Sequence, residues 1–68
     1  MKYEIIGTIV LGFLTHNDSY DAILSEGTLE LIEGDIVFTS VAGNSFISHT
    51  HNHAIQYYLD LGRIKEIK

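Results

Sequence analysis

Residues Tyr3 to Leu14 read YEIIGTIVLGFL, and an extended chain over this stretch is apolar on both sides. Side chains alternate across a strand. Tyr3, Ile5, Ile9, Leu11 and Phe13 fall on one face, and Ile6, Val10 and Leu14 on the other. A strand with two apolar faces belongs at the centre of a sheet or in an interface. The constraint is severe for a chain of 68 residues. A domain of that size buries only about 60% of the surface its unfolded form exposes. There is no cysteine, hence no disulfide, thiolate metal site or thiol nucleophile to reinforce or equip it. Yet 46% of the residues are hydrophobic and the mean hydropathy is +0.15. More apolar residues than one small core can hold are commonly shared between subunits. A single small β domain over residues 1–68, associating as a homo-oligomer, is the expectation.

The rest of the chain continues the β pattern. THNDS (Thr15 to Ser19) is a turn of residues that hydrogen-bond their own backbone. SYDAILSEG reads two ways: a strand that turns at Glu26-Gly27, or one short helix over 19–26 capped by Ser19 and ended by Gly27. The strand is preferred. TLELI alternates, EGD turns, IVFTSVA is strongly β-prone, and Gly43-Asn44 marks another turn. Ser45 to Leu61 reads as extended, and GRIKEIK closes the chain with Ile64 and Ile67. The sum is an all-β fold, a small antiparallel barrel or curled meander of five to six strands.

EGTLELIEGDIVFTS, followed by IQYYLDLGRIKEIK, resembles the strand pattern of GRAM and pleckstrin-homology-like domains. There a G-x-L-x-L strand, here Gly27, Leu29 and Leu31, leads into a hairpin. The closing spacing Leu61, Ile64, Ile67 also resembles the last strands of Sm-like and SH3-like barrels. The resemblance lies in hydrophobic pattern and implies a small β-barrel. The basic phosphoinositide-binding residues of such domains have no counterpart, so no lipid-binding residue is carried over.

Charge narrows the function classes. Between Lys2 and Arg63 there is no lysine or arginine, while Glu4, Asp18, Asp21, Glu26, Glu30, Glu33, Asp35 and Asp60 lie in that span, and the net charge is −5. A nucleic-acid binder needs cations along the phosphate track, so direct binding of DNA or RNA is not expected. The acidic stretch, Glu30 and Glu33 in particular, suits a solvated face or one that docks on a basic protein. Ile5 to Leu14 is too short for a bilayer, which takes about 20 residues, and lacks a signal-peptide cleavage site. A cytoplasmic protein that does not enter a membrane is expected.

HTHNH, His49 to His53, holds three of the four histidines. If Phe46 to Leu61 is one strand, His49, His51 and His53 share a face with Ile55, Tyr57 and Leu59, and Tyr58 points the other way. Neighbours on that face are about 6.6 Å apart along the strand. His49 with His51, or His51 with His53, can then hold one divalent ion such as zinc, whose bonds to nitrogen are about 2.0–2.1 Å long. A third ligand has to come from His16, an acid or another subunit. If the chain instead reverses at Thr50-His51-Asn52, His49 and His53 face each other and His51 sits at the tip. A strand of 16 residues exceeds the usual 3–10, so a break is expected here. Protonating all four histidines would take the net charge from −5 to −1, a route to pH-responsive association. GNSFISHTH also resembles the first metal motif of cupins, with Gly43, His49 and His51 in place, but Gln56 stands near the position of that motif's glutamate and a second motif is absent.

No phosphate loop, nucleophile elbow or zinc-protease motif is present, and His16-Asn17-Asp18 sits in a turn without a partner. The expected function is a non-catalytic acidic binding module acting through protein–protein contacts as a homo-oligomer, a regulator or inhibitor, with Tyr58 anchoring a partner. The alternative is an oligomeric small-ligand or metal-binding protein that uses His49, His51 and His53.

Overall fold

The computed structural model describes all residues from Met1 to Lys68. In chain order the elements are β1 (Lys2–Ile5), β2 (Ile9–Leu14), β3 (Ser19–Leu24), β4 (Thr28–Ile32), β5 (Asp35–Thr39), β6 (Ser45–Ser48), α1 (His53–Asp60) and β7 (Ile64–Ile67). The seven strands form one antiparallel sheet in the order β3-β2-β6-β5-β4-β1-β7.

That order forces the sheet to curl. β1 runs into β2, and β3 into β4, through three residues each, yet each pair stands four places apart in the sheet. Such a link reaches at most about 14 Å, whereas four strand spacings in a flat sheet cover about 19 Å. Curling brings the strand ends within reach. The curl stops short of closure, because β3 and β7 each keep one unpaired edge. The antiparallel all-β expectation holds, but the closed barrel does not, and the strand count is seven rather than five or six.

Two local readings are corrected. The long first strand is two: Ile6 and Gly7 both donate their N–H groups to the Arg63 carbonyl, at 2.9 and 2.8 Å, so the chain leaves β1 and crosses to the far side of the sheet. Ser45 to Leu61, read as extended, holds β6, a corner and the helix His53–Asp60, while the preferred strand reading of the SYDAILSEG stretch is borne out as β3. Ser19 does not cap a helix, because its N–H is taken by the Asp18 carboxylate at 2.7 Å within the turn, and the following residues pair one for one with β2.

The concave face is the core. Tyr3, Ile5, Ile9, Leu11 and Phe13 are buried there as the alternation predicts, with Leu29, Ile36, Phe38 and Ile64 from the other strands and Ile55 from α1. Each such residue contributes about 1.5–3 kcal/mol through burial. The helix is needed because β2 and β6 pair at a single position, Phe13 with Ser48. Beyond it, Gly12 donates to Thr50 Oγ1 at 2.7 Å, and its carbonyl accepts from Ser48 Oγ at 2.7 Å and from the His49 N–H at 3.0 Å. The Tyr58 hydroxyl completes the edge, accepting from the Val10 N–H and donating to the Val10 carbonyl, both at 3.0 Å.

Candidate functional site

The histidine segment is a corner, neither a strand nor a hairpin tip. β6 ends at Ser48, whose hydroxyl accepts the Thr50 N–H at 3.1 Å, and the first helical turn begins with Ala54 N–H bonding the His51 carbonyl at 3.0 Å. The corner separates the histidines. His49 leaves on the convex face, where the missing side chain of Gly12 makes room. A Cβ built on Gly12 would lie 2.7 Å from His49 Cε1 and Nε2 and 3.4 Å from Asp21 Oδ1. The imidazole and the carboxylate therefore converge on the space over Gly12.

His51 and His53 come together instead, their ring centroids 4.2 Å apart. The His53 N–H donates to His51 Nδ1 at 3.1 Å, while Asn52 at the cap position makes no side-chain capping bond. The His51 ring thus satisfies one of the open N–H groups at the helix start. Accepting at Nδ1 leaves the ring proton on Nε2. A metal ion at either nitrogen would disturb that bond, since ligation at Nε2 moves the proton to Nδ1. No group of three or more His, Cys, Asp or Glu side chains gathers in a geometry that can hold an ion, and His16 joins none.

Tyr58 is turned toward the sheet and bonded to Val10, whereas Tyr57 is 60% exposed. The helical period reverses the assignment made from strand alternation. Glu30 is half-buried on the convex face, paired in register with Val37 and Lys2. Glu33 is exposed in the β4–β5 turn, where Glu33 and Gly34 both have positive φ, 53° and 87°. That is the signature of a type I′ hairpin turn. The two carboxylates sit at the middle and the tip of one hairpin.

Two features stand out that residue-type patterns alone do not mark. One is an open groove of about 600 Å³ beside Glu4, Glu26, Thr28, Ser40 and Ile67, away from the histidines. Glu4 there meets Lys65 at 3.7 Å across an exposed surface, a pairing worth little. The other is the convex face around β2, β3 and β6. The register puts Val10 beside Ile23 and Ile47 beside Val37 on that face. Val10, Leu14, Ile23 and Ile47 are all exposed, Ile23 at 73%. The edge of β3 bounds this apolar area.

No protein-family model, curated protein or solved structure matches the chain. No helix is long and apolar enough to cross a membrane.

Proposed function

We propose that the chain is a non-catalytic binding module that acts through protein contacts and self-associates. The observation that carries this reading is the distribution of apolar residues. Ten form the core, while thirteen large hydrophobic side chains remain exposed, with Val10, Leu14, Ile23 and Ile47 on the face that ends at the unpaired β3. Exposed apolar side chains in this number on a small protein mark an interaction surface. Here they form two groups, Val10 with Ile23 and Leu14 with Ile47, on either side of the row formed by His49, Gly12 and Asp21. The acidic hairpin with Glu30 and Glu33 supplies a second contact surface, suited to a basic protein.

A metal- or ligand-binding role for the histidines has one observation in its favour, the adjacency of the His51 and His53 rings. Its cost is the helix-capping bond that His51 already makes. Native mass spectrometry of untagged protein, with and without chelator, separates the two readings. An oligomer of bare mass supports the protein-contact reading. A stoichiometric extra mass that chelator removes, lost in His51→Ala and His53→Ala, supports the ligand reading. A bare monomer at all concentrations sinks self-association. Glu30→Gln with Glu33→Lys tests the acidic hairpin without setting a second lysine opposite Lys2, because weakened capture of a basic partner is expected while the thermal melt stays in place.

A further inference from the structure

We propose that two copies of the chain join edge to edge along β3, antiparallel about a two-fold axis midway between Ala22 and its copy, so that one sheet continues into the next. The inference rests on the self-association proposed above and specifies its contact.

The two free edges differ in kind. Proteins guard exposed strand edges with lysine, proline or other charges. β7 carries Lys65 and Glu66 within four residues, and Lys68 follows. β3 offers six residues, SYDAIL, with no lysine, no proline and one charge, Asp21. An unguarded edge of that length is a template for another strand, and an identical strand is present in every copy.

The backbone shows which groups it offers. In an antiparallel pair, opposed residues either exchange both hydrogen bonds or both point away from each other. Gly12 and Val10 use their N–H and C=O groups on the β6 side, toward Thr50, Ser48, His49 and Tyr58. Their partners across the hairpin are Asp21 and Ile23, which therefore point their N–H and C=O groups out from the free edge.

A two-fold axis normal to the sheet keeps each side chain on its own face only if it passes between a residue and its own copy. Four centres give an overlap of three residues or more, Tyr20 and Ile23 of three alone. Centring on Asp21 sets the two carboxylates directly opposite, which is destabilising. Centring on Ile23 shortens the overlap and draws Glu26 in beside Tyr20. Centring on Ala22 pairs Asp21 with the partner's Ile23 and Ile23 with the partner's Asp21, two hydrogen-bonded pairs that use all the outward groups of both residues. Small Ala22 then meets its own copy in the close, non-hydrogen-bonded position. On the concave face Tyr20, 48% exposed and stacked on Phe13 at 5.8 Å, meets the partner's Leu24. The core row thus runs on through the contact. Pairing β3 with the partner's β7 would instead be head to tail and would set one edge guarded by lysines against the unguarded one, whereas the two-fold arrangement uses the unguarded edge twice and closes at two copies.

The register makes a specific demand on chemistry. Opposed residues in the non-hydrogen-bonded position have Cα atoms about 4.5 Å apart, within the disulfide range of about 4.4–6.8 Å. Because the chain has no cysteine, Ala22→Cys introduces a single thiol. Under oxidised glutathione at micromolar protein it is expected to convert almost wholly to a covalent dimer. Val41→Cys, exposed between β5 and β6 and outside the paired residues of the contact, is expected to stay mostly monomeric. Ile23→Pro supplies the second arm. Its N–H faces the free edge, where proline is tolerated, so the fold remains while association weakens at least tenfold by native mass spectrometry. Should the wild type be a dimer that Ile23→Pro leaves intact, with Ala22→Cys cross-linking no faster than Val41→Cys, this contact is overturned and self-association stands through another surface. A wild type that is monomeric throughout overturns both. If Ile23→Pro unfolds, the ratio of the two cross-linking rates decides alone, a ratio near one counting against the proposal.

Discussion

At Gly27 the backbone has φ +115°, and a Cβ built there would lie 2.7 Å from both the Thr39 carbonyl oxygen and Phe38 Cε1. A side chain would meet a fixed strand and a buried ring as well as an unfavourable φ. Gly27→Ala is expected to cost about 3 kcal/mol, the upper part of the range for local strain, a large share of the stability of a small domain. Gly34 has φ +87° with open space around it, so Gly34→Ala should cost about 1 kcal/mol. Urea denaturation of both variants checks the order, and equal losses would show that the crowding at Gly27 relaxes freely. Tyr58 gives a second contrast. Removing its hydroxyl in Tyr58→Phe keeps the packed ring but releases both Val10 groups, at about 1 kcal/mol. That corresponds to roughly 4–8 °C in Tm for a domain of this size, while Tyr57→Phe should leave Tm unchanged. Little of this is legible in the sequence. Gly27 reads as a turn residue, but the carbonyl it approaches belongs to a strand twelve positions on. The Tyr58 role requires knowing that β6 abandons β2 after one pair.

Among the elements, the hairpin at Glu33-Gly34 and the buried face from Tyr3 to Phe13 follow from short-range rules, alternation and a turn dipeptide, and these are legible in the chain. The segment after β6 is not, because its apolar residues satisfy two periods at once. Ile55, Tyr57, Leu59 and Leu61 alternate as a strand would, while Ala54 with Tyr58 and Ile55 with Leu59 stand four apart as on a helix. The signal that decides lies at the end. Gly62, at φ +73°, donates to the Leu59 carbonyl at 3.0 Å, and the Arg63 N–H reaches the Tyr58 carbonyl at 2.9 Å, the paired bonds of a Schellman motif. The Leu-Gly pair after an alanine-led run is its trace in the sequence. Ile55 is the one residue of α1 that is fully buried. Ile55→Ala is therefore expected to cost about 2–4 kcal/mol through the cavity it leaves. Hydrogen exchange should show α1 amides losing protection before those of β4 and β5. Uniform loss across the sheet would mean that the helix and the strands unfold as one unit.

For the molecule as a whole, composition announces an excess of apolar residues, and only the fold shows where the excess goes. Whether the sheet closes depends on whether its edge strands β3 and β7 meet, a relation between segments forty or more positions apart that no local pattern encodes. Left open, the sheet presents β3, and a copy that binds there brings its own net charge of −5. Two such molecules repel at long range, and the only charge on the β3 edge is Asp21. Association must then come from apolar burial and strand pairing against that repulsion. Added salt shortens the reach of the repulsion, from about 30 Å at 0.01 M ionic strength to about 3 Å at 1 M. Burial and backbone hydrogen bonds are much less affected by simple salt over this range. Dimer affinity measured by sedimentation equilibrium should therefore rise several-fold between low and high sodium chloride, and Tm should climb with protein concentration as it does for any folded state stabilised by its own copy. An affinity that falls with salt would assign the contact to opposite charges, and the terminal Arg63, Lys65 and Lys68 facing the acidic hairpin would then be the surface to examine in place of β3.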